Sequence, residues 1–329
     1  MEMKTRRLLS QFLLATAVLF AAALPATAAD PVNELKSFSV FESVDLAQLA
    51  QGDAKAVRGA PMNTSRFLSV QSLWVASGTP AQQAEALRRW SPAGHSELKV
   101  LLHTNGSNFS RLSQAPNNSA VQALVSATTG KSPELQISRA EAAKLPDAAA
   151  GSTMSGAVAN FWSGLLSARA SAFASGGSSA QPPYDHSAQA IRPGAELNSL
   201  LAEQGKIRKQ FSGLLSGKAE QSWELVDVEG KGVLTLGASY SRAAGGGSYQ
   251  AADVSYYASG GYYAALTLYQ MWPVDVGGKP STLVWRGDMT SSAELAGLAG
   301  VERLGSESVM IKDVSRAIRV FRRDTGGSR

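Results

Sequence analysis

The C-terminal third of the chain alternates in residue type with the period of two that extended strands show. Over residues 262–272 the alternate positions form two sets, which would point to opposite faces of a sheet. One set is Tyr262, Ala264, Leu266, Leu268 and Trp272, and the other is Tyr263, Ala265, Thr267, Tyr269 and Met271. Neither set is polar, which is typical of a strand covered on both sides, or of one with a helix behind it and an apolar cavity in front.

Five strands of this kind are predicted, and short turns separate most of them. They cover residues 223–228, 233–240, 249–257, 262–272 and 282–290. The turns at 229–232 and 259–261 hold glycines, which tolerate positive φ and therefore suit hairpins. Strands joined in this way imply an antiparallel meander.

The pattern changes to a helical period over residues 307–323. Apolar residues there recur at the spacing that places them on one side of a helix, and basic residues cover the other side. The predicted buried stripe is Met310, Val314, Ala317, Ile318 and Phe321. The sequence thus predicts that the chain closes with an amphipathic helix packed on the sheet.

The N-terminal and middle parts are predicted to mix strands with helices. Strands are expected at 66–76 and 97–103, and between them Thr79, Pro80 and Gln82 have the spacing of a helix start with a capping box. Further helices are expected through the middle, with a flexible loop at 175–193. The predicted fold class is α+β, with an antiparallel sheet, a C-terminal amphipathic helix and additional helices in the N-terminal and middle parts.

Residues 1–29 have the three parts of an export signal. Lys4, Arg6 and Arg7 form the basic start, residues 8–24 are apolar, and small residues at 26–29 suit cleavage. The paired arginines resemble a twin-arginine signal, but the lysine usual after that motif is absent, so an ordinary secretory signal stays open. We expect a periplasmic or secreted protein with one composite domain over residues 30–329. A boundary near residue 150 is the alternative.

Charge and cysteine content narrow the classes of partner. The formal charge is +5, and removal of residues 1–29 leaves 28 basic and 25 acidic side chains, a charge of +3. Such a balance gives little electrostatic reason to expect nucleic acid as a partner. The absence of cysteine excludes disulfides and a lipoprotein anchor. No integral membrane segment is expected after cleavage.

Motifs for catalysis or cofactor binding are weak. The histidines are His95, His103 and His186, and the spacing around His95, Glu97 and His103 matches no zinc pattern. A nucleophile elbow, a phosphate loop and a dinucleotide loop are also absent from the sequence. Asp227, Glu229 and Asp253 lie on or near predicted strands. To act as a pair of acid and base they would have to converge, and nothing in the linear sequence indicates that they do. We therefore predict no catalytic residue, no metal site and no cofactor.

Aromatic residues are concentrated in the predicted sheet. They are Trp223, Tyr256, Tyr257, Tyr262, Tyr263, Tyr269, Trp272 and Trp285. Aromatic residues favour strands, so one interpretation is that they fill the core and cover the strand faces. The other is that several of them line a cavity for an apolar ligand, with tyrosine hydroxyls orienting its polar end.

The order of elements resembles the START-like, helix-grip superfamily. A strand and a proline-initiated helix (67–90) are followed by antiparallel strands, a last strand (282–290) and a long terminal helix (307–323). The resemblance covers residues 66–103 and 223–323 and rests on element order. It implies a sheet curled around the terminal helix, with a hydrophobic tunnel between them that takes lipids, sterols or other apolar molecules.

On this basis we expect a non-enzymatic protein that binds an apolar or amphipathic, lipid-like ligand between the sheet and the terminal helix. Tyr257, Tyr263, Tyr269 and Trp285 would line the site, and Met310 and Phe321 would form its helical wall. Two alternatives stay open: a structural or partner-binding envelope protein, and an envelope hydrolase or isomerase with His103 or Asp253 as base.

Overall fold

The computed structural model describes residues 30–147, 151, 153–187 and 189–326. The predicted export signal lies outside these residues. The described chain forms one antiparallel sheet and a set of helices that pack on both of its faces. This arrangement confirms the predicted α+β fold class.

Eight antiparallel strands make up the sheet. They are β1 (Lys55–Arg58), β2 (Phe67–Ser77), β3 (Val100–Asn105), β4 (Glu220–Val228), β5 (Lys231–Ala243), β6 (Tyr249–Ala258), β7 (Ala264–Val276) and β8 (Lys279–Ser291). Their order across the sheet is β1-β2-β8-β7-β6-β5-β4-β3. The predicted meander is confirmed as β4 to β8, and the last strand of the meander pairs with β2, the first long strand of the chain.

Ten α-helices accompany these strands in the described part of the chain. They are α1 (Pro31–Phe38), α2 (Leu46–Gln51), α3 (Pro80–Arg89), α4 (Ser119–Thr129), α5 (Arg139–Ala142), α6 (Gly156–Gly176), α7 (Pro193–Glu203), α8 (Gly205–Gln210), α9 (Ala293–Ala296) and α10 (Gly300–Asp324). Five of them, α4 to α8, lie between β3 and β4, so a long helical segment is inserted between two neighbouring strands of the sheet.

The two faces of the sheet are covered by different helices. On one side, Trp74, Tyr269 and Val284 pack with Val314 and Ile318 of α10 and with apolar residues of α3. We call this side the α10 face. On the other side, a larger core joins residues of α1, α4, α6, α7 and α8 to the sheet, and we call this side the insert face. The insert-face core draws on residues before and after position 150, including Leu145 and Met154.

The terminal helix is longer than its sequence pattern indicated. It begins at Gly300, and its buried residues include three of the predicted stripe, Val314, Ile318 and Phe321. Met310 is only partly buried and packs at the edge of the α10-face core. The phenyl ring of Phe321 meets the indole of Trp90 edge-on, with 5.5 Å between ring centroids. The end of α10 is thereby fixed against the end of α3.

Three local predictions can be compared directly with the structure. The capping box at Thr79 is confirmed, because its side chain accepts from the backbone of Gln82 and the Gln82 side chain accepts from the backbone of Thr79. The strand predicted from residue 97 begins only at Val100, because residues 96–98 form a 3-10 turn that ends at Lys99 with a φ of 55°. In the region of the predicted flexible loop, Tyr184 and Ile191 form a β-bridge and are both buried.

Candidate functional site

The six residues predicted to line one cavity are divided between the two faces of the sheet. Tyr257, Tyr263 and Trp285 belong to the insert-face core, whereas Tyr269 and Met310 lie on the α10 face. Phe321 packs against Trp90, as described above. Because the sheet backbone separates the two sets, the structure does not bring these six side chains together around one space.

On the insert face, the predicted ligand-binding aromatics are part of the packed core. Trp285 is completely buried and donates its indole N–H to Gln71 Oε1 at 3.1 Å. Tyr257 is also completely buried, and the guanidinium of Arg169 lies over its ring, 4.4 Å from the centroid. Arg169 in turn pairs with Glu141, its Nη2 lying 2.6 Å from Oε2. These contacts favour the interpretation of Tyr257 and Trp285 as core residues.

On the α10 face, the layer between the sheet and the terminal helix is filled around Tyr269. This tyrosine is 6% exposed, and the Arg286 guanidinium lies 5.5 Å from its ring centroid. Burial raises the pKa of the Tyr269 hydroxyl. Trp74 and Ile318, 1% exposed each, occupy the same layer.

The same face of the sheet also carries several hydrogen-bonded polar side chains. One of them is Asp253, which was considered as a catalytic base. Ser239 donates to Asp253 Oδ1 at 2.7 Å, and Thr267 donates to Asp288 Oδ1 at 2.9 Å. Arg286 pairs with Asp288 at 2.7 Å. Loss of hydration of the Asp253 carboxyl raises its pKa, and the hydrogen bond from Ser239 acts in the opposite direction.

The other hypothetical base, His103, has a partner of its own. Its Nδ1 lies 2.9 Å from Glu224 Oε1. His95 similarly lies 2.9 Å from Asp324 Oδ2, through its Nε2. Among the described residues, no group of three or more His, Cys, Asp or Glu side chains is placed to hold a metal ion. His95, His103 and Asp288 thus each have a separate side-chain partner.

A cleft of about 650 Å³ lies at one end of the insert face and is open to solvent. Its walls are the start of α1, the end of α8, the turn between β5 and β6, and strands β6 and β7. The lining residues are Pro31, Glu34, Gln210, Arg242, Ala243, Ala244, Gly245, Gly246, Ser248, Gln250, Gln270, Trp272 and Pro273. None of the six predicted site residues belongs to this set.

Strand register places three polar side chains side by side in this cleft. Arg242 of β5 is opposite Gln250 of β6, and Gln250 is opposite Gln270 of β7. Paired residues project from the same side of an antiparallel sheet. The Arg242 Nε donates to Gln250 Oε1 at 2.9 Å, and Gln250 Nε2 donates to Gln270 Oε1 at 2.7 Å. The result is a hydrogen-bonded chain across three strands.

The turn that joins β5 to β6 requires glycine. Gly246 and Gly247 have φ of 67° and 76°, in the left-handed region that side chains with a Cβ rarely adopt. The Ala244 N–H closes the turn by donating to the Ser248 carbonyl at 2.8 Å. The turn thereby keeps Arg242, near the end of β5, beside Gln250 of β6.

Glu34 supplies the negative charge of the cleft, and α1 positions it. Asp30 caps this helix, accepting from the Val32 N–H at 2.9 Å. One turn beyond Glu34, Phe38 packs on Trp285 with 5.0 Å between ring centroids. Residues four apart share a helix face, so the anchoring of Phe38 also turns Glu34 toward the sheet. The carboxylate accepts from Trp272 Nε1 at 2.9 Å and from Gln210 Nε2 at 2.5 Å.

Gln270, in the floor of the cleft, has an unmatched donor. The residue is only 1% exposed, and its Oε1 already accepts from Gln250 and, at 3.3 Å, from Gln210. Its own Nε2 donates to no protein atom of the described chain. An amide nitrogen carries two donor hydrogens, and this one is not among the fully buried polar atoms of the described chain that lack a partner. The Gln270 Nε2 is therefore available to donate to an acceptor atom of a molecule in the cleft.

Sequence reasoning missed these residues, although a signal for them exists. Gln250 and Gln270 occupy alternate positions that point inward among apolar neighbours such as Leu268 and Trp272. A glutamine at such a position requires buried hydrogen-bond partners, which a pattern of apolar residues alone does not reveal.

By fold and site, the chain is an α+β protein whose antiparallel sheet carries helices on both faces and a polar cleft at one end. Comparison with protein-family models, with curated proteins and with solved structures gives no match. In the described part of the chain, we find no helix with the length and apolar character needed to cross a membrane.

Proposed function

We propose that this protein is an exported, non-enzymatic binding protein that holds a small polar molecule in the insert-face cleft. The observation that carries the proposal is the Gln270 amide at the cleft floor, whose Nε2 has no protein acceptor among the described residues and is not one of their fully buried unpaired atoms. A bound molecule with an acceptor atom would pair with this donor.

The size and composition of the cleft support binding of a small molecule. Its volume of about 650 Å³ lies within the range of ligand sites, about 300–1,000 Å³. Trp272, Pro31 and Pro273 supply apolar surface, while a few fixed polar groups supply direction. This combination is typical of specific ligand sites.

Binding is favoured over catalysis by the positions of the titratable groups. His103 and Asp253, the bases considered for a hydrolase or isomerase, are not among the residues that line the cleft. The one carboxylate that does line it, Glu34, is held by hydrogen bonds from Trp272 and Gln210. A general base must reach the proton that it removes, and this arrangement instead suits a fixed acceptor.

An apolar ligand between the sheet and α10 stays a prediction with less support. The described side chains in that layer, including Trp74, Val284 and Ile318, pack closely against each other. A role in binding a protein partner is likewise a prediction without a specific contact in its favour.

Export is part of the proposal and is supported by the pattern of residues 1–29. Cleavage after residue 29 would leave Asp30 to cap α1, and α1 carries Glu34 to the cleft. The processed chain would then hold every residue of the proposed site.

Native mass spectrometry of the protein purified from its periplasmic fraction tests this function. We expect a co-purifying small molecule, and we expect Ala244→Trp, which places an indole at the cleft wall, to remove it. Ala293→Trp is the matched control, because Ala293 is exposed and lies outside the cleft lining. Retention of the molecule by the Ala244 variant, or its absence from the unaltered protein, would contradict the proposal.

A further inference from the structure

We infer that the ligand of the cleft is zwitterionic, with a carboxylate and an ammonium group separated as in a short peptide. This inference rests on the proposed function and adds the chemical class of the ligand. It follows from three groups in the cleft: Arg242 at one end, Glu34 at the other, and glutamine amides between them.

Arg242 is suited to hold a carboxylate. Its Nε and one terminal nitrogen, Nη2, are used internally, both donating to Gln250 Oε1, at 2.9 Å and 2.6 Å. Nη2 also donates to the Ser212 carbonyl at 3.0 Å. The other terminal nitrogen, Nη1, has no protein acceptor in the described part of the chain, and the side chain is exposed at the cleft. A guanidinium fixed by two neighbours loses little freedom when it binds an anion.

Glu34 is suited to hold an ammonium group. A carboxylate has about four lone-pair sites, and the contacts with Trp272 and Gln210 use one on each oxygen. The remaining sites have no protein donor among the described residues. A carboxylate with spare lone pairs at a partly enclosed site favours a cationic donor, because charge-assisted hydrogen bonds are about twice as strong as neutral ones.

The groups between the two charges set the length of the ligand. Arg242 and Gln270 are two strands apart, about 10 Å at the usual spacing of 4.7–4.9 Å. Glu34 lies next to Gln270, because Gln210 Nε2 contacts both side chains and Trp272 donates to Glu34. An extended peptide advances about 3.3 Å per residue, so two or three residues fit between the charges. The free Gln270 amide would donate to a peptide carbonyl. A neutral sugar would offer hydroxyl groups to Arg242 and Glu34 but no opposite charge, so it would form only the weaker kind of hydrogen bond with each.

The test uses isothermal titration with tri-alanine and two end-blocked forms, N-acetyl-tri-alanine and tri-alanine amide, with maltose as the neutral probe. We expect tri-alanine to bind and each end block to weaken binding at least about tenfold, since each removes one charge-assisted contact. Maltose should not bind.

Two conservative variants assign each charge to its residue. In Glu34→Gln, acetylation should no longer weaken binding, and in Arg242→Gln, amidation should no longer weaken it, as expected for coupled pairs in a double-mutant cycle. Circular dichroism should show the same thermal unfolding midpoint, within a few degrees, for both variants, which confirms that they fold.

The outcomes separate this inference from the function on which it rests. If tri-alanine and its blocked forms bind equally, or if only maltose binds, the ligand is not zwitterionic, although binding in the cleft stands. If none of the probes binds while the co-purifying molecule is lost in Ala244→Trp, the peptide class is wrong and the cleft function stands. If that molecule survives Ala244→Trp, the proposed function itself fails.

Discussion

At the scale of single residues, the polar side chains on the two faces of the sheet differ in their burial and in their hydrogen bonds. On the insert face, the amides of Gln250 and Gln270 are almost fully buried and form a hydrogen-bonded chain. On the α10 face, Asp253 is exposed and is held by a single hydrogen bond from Ser239. The first arrangement fixes a donor within a cleft, whereas the second leaves a carboxylate on the surface near Ser239 and Arg286.

Asp253 gives a pH-dependent prediction. Its folded-state pKa is raised mainly by loss of hydration, so the folded protein binds this proton more tightly than the unfolded chain. Because Asp253 is exposed, solvent screens much of this effect, so the residue destabilises the fold only slightly at pH above its unfolded pKa of about 3.9, and the penalty disappears below that value. We expect Asp253→Asn to increase the free energy of unfolding at pH 7 and to lose this advantage as the pH falls toward 3.

Urea unfolding of both proteins across that pH range provides the measurement. The asparagine keeps an oxygen that can accept from Ser239, so the comparison isolates the charge. A difference between the two proteins that stays constant with pH would contradict the raised pKa.

Two tyrosines show the limit of residue patterns near a turn. Period-two alternation predicted that Tyr262 shares a face with Ala264 and that Tyr263 points to the other side. The prediction was wrong for both, because β7 begins only at Ala264, after a turn in which Gly261 has a φ of 77°. The Tyr262 hydroxyl instead lies 3.1 Å from Ser255 Oγ, and Tyr263 packs with the insert-face core.

At the scale of elements, regular patterns predicted the strands and the terminal helix well. Alternation located β4 to β8 within a few residues, and helical spacing located the buried side of α10. The cleft was not predictable in this way, because it depends on contacts between distant segments. The hydrogen bond from Trp272 to Glu34 joins residues 238 positions apart. No local pattern encodes such a contact.

Gly287 of β8 gives a prediction at this scale. A Cβ at this position would lie 2.5 Å from Cη2 of the buried Trp285 indole, which belongs to the same strand. We expect Gly287→Ala to destabilise the protein by about 1–3 kcal/mol, because a filled core accommodates an added methyl group poorly.

Gly164 in α6 is the matched control. A Cβ there meets no neighbouring atom within 4 Å, so Gly164→Ala should stabilise the protein by up to about 1 kcal/mol through helix propensity. Both values come from urea unfolding at neutral pH. Equal effects of the two substitutions would show that the Trp285 ring does not occupy the space over Gly287.

At the scale of the whole molecule, the sheet separates two hydrophobic cores. On the α10 face, Trp74 of β2 and Val284 of β8 pack with Ile318 of the terminal helix. The insert face carries the larger core and, at its end, the polar cleft. The sequence-based hypothesis placed the ligand on the α10 face because the order of elements resembles a helix-grip fold. The described packing gives stronger support to the opposite face.

The most direct test of this account is a comparison of NMR signals from the two faces. The small-molecule fraction released from the purified protein by denaturation is added to ligand-free protein that carries labelled glutamine side-chain amides and labelled methionine methyl groups. We predict shifts in the amide signals of Gln210 and Gln270, with the Met310 methyl signal unchanged. A shift of the Met310 signal without change at these glutamines would contradict the account and place the ligand between the sheet and α10.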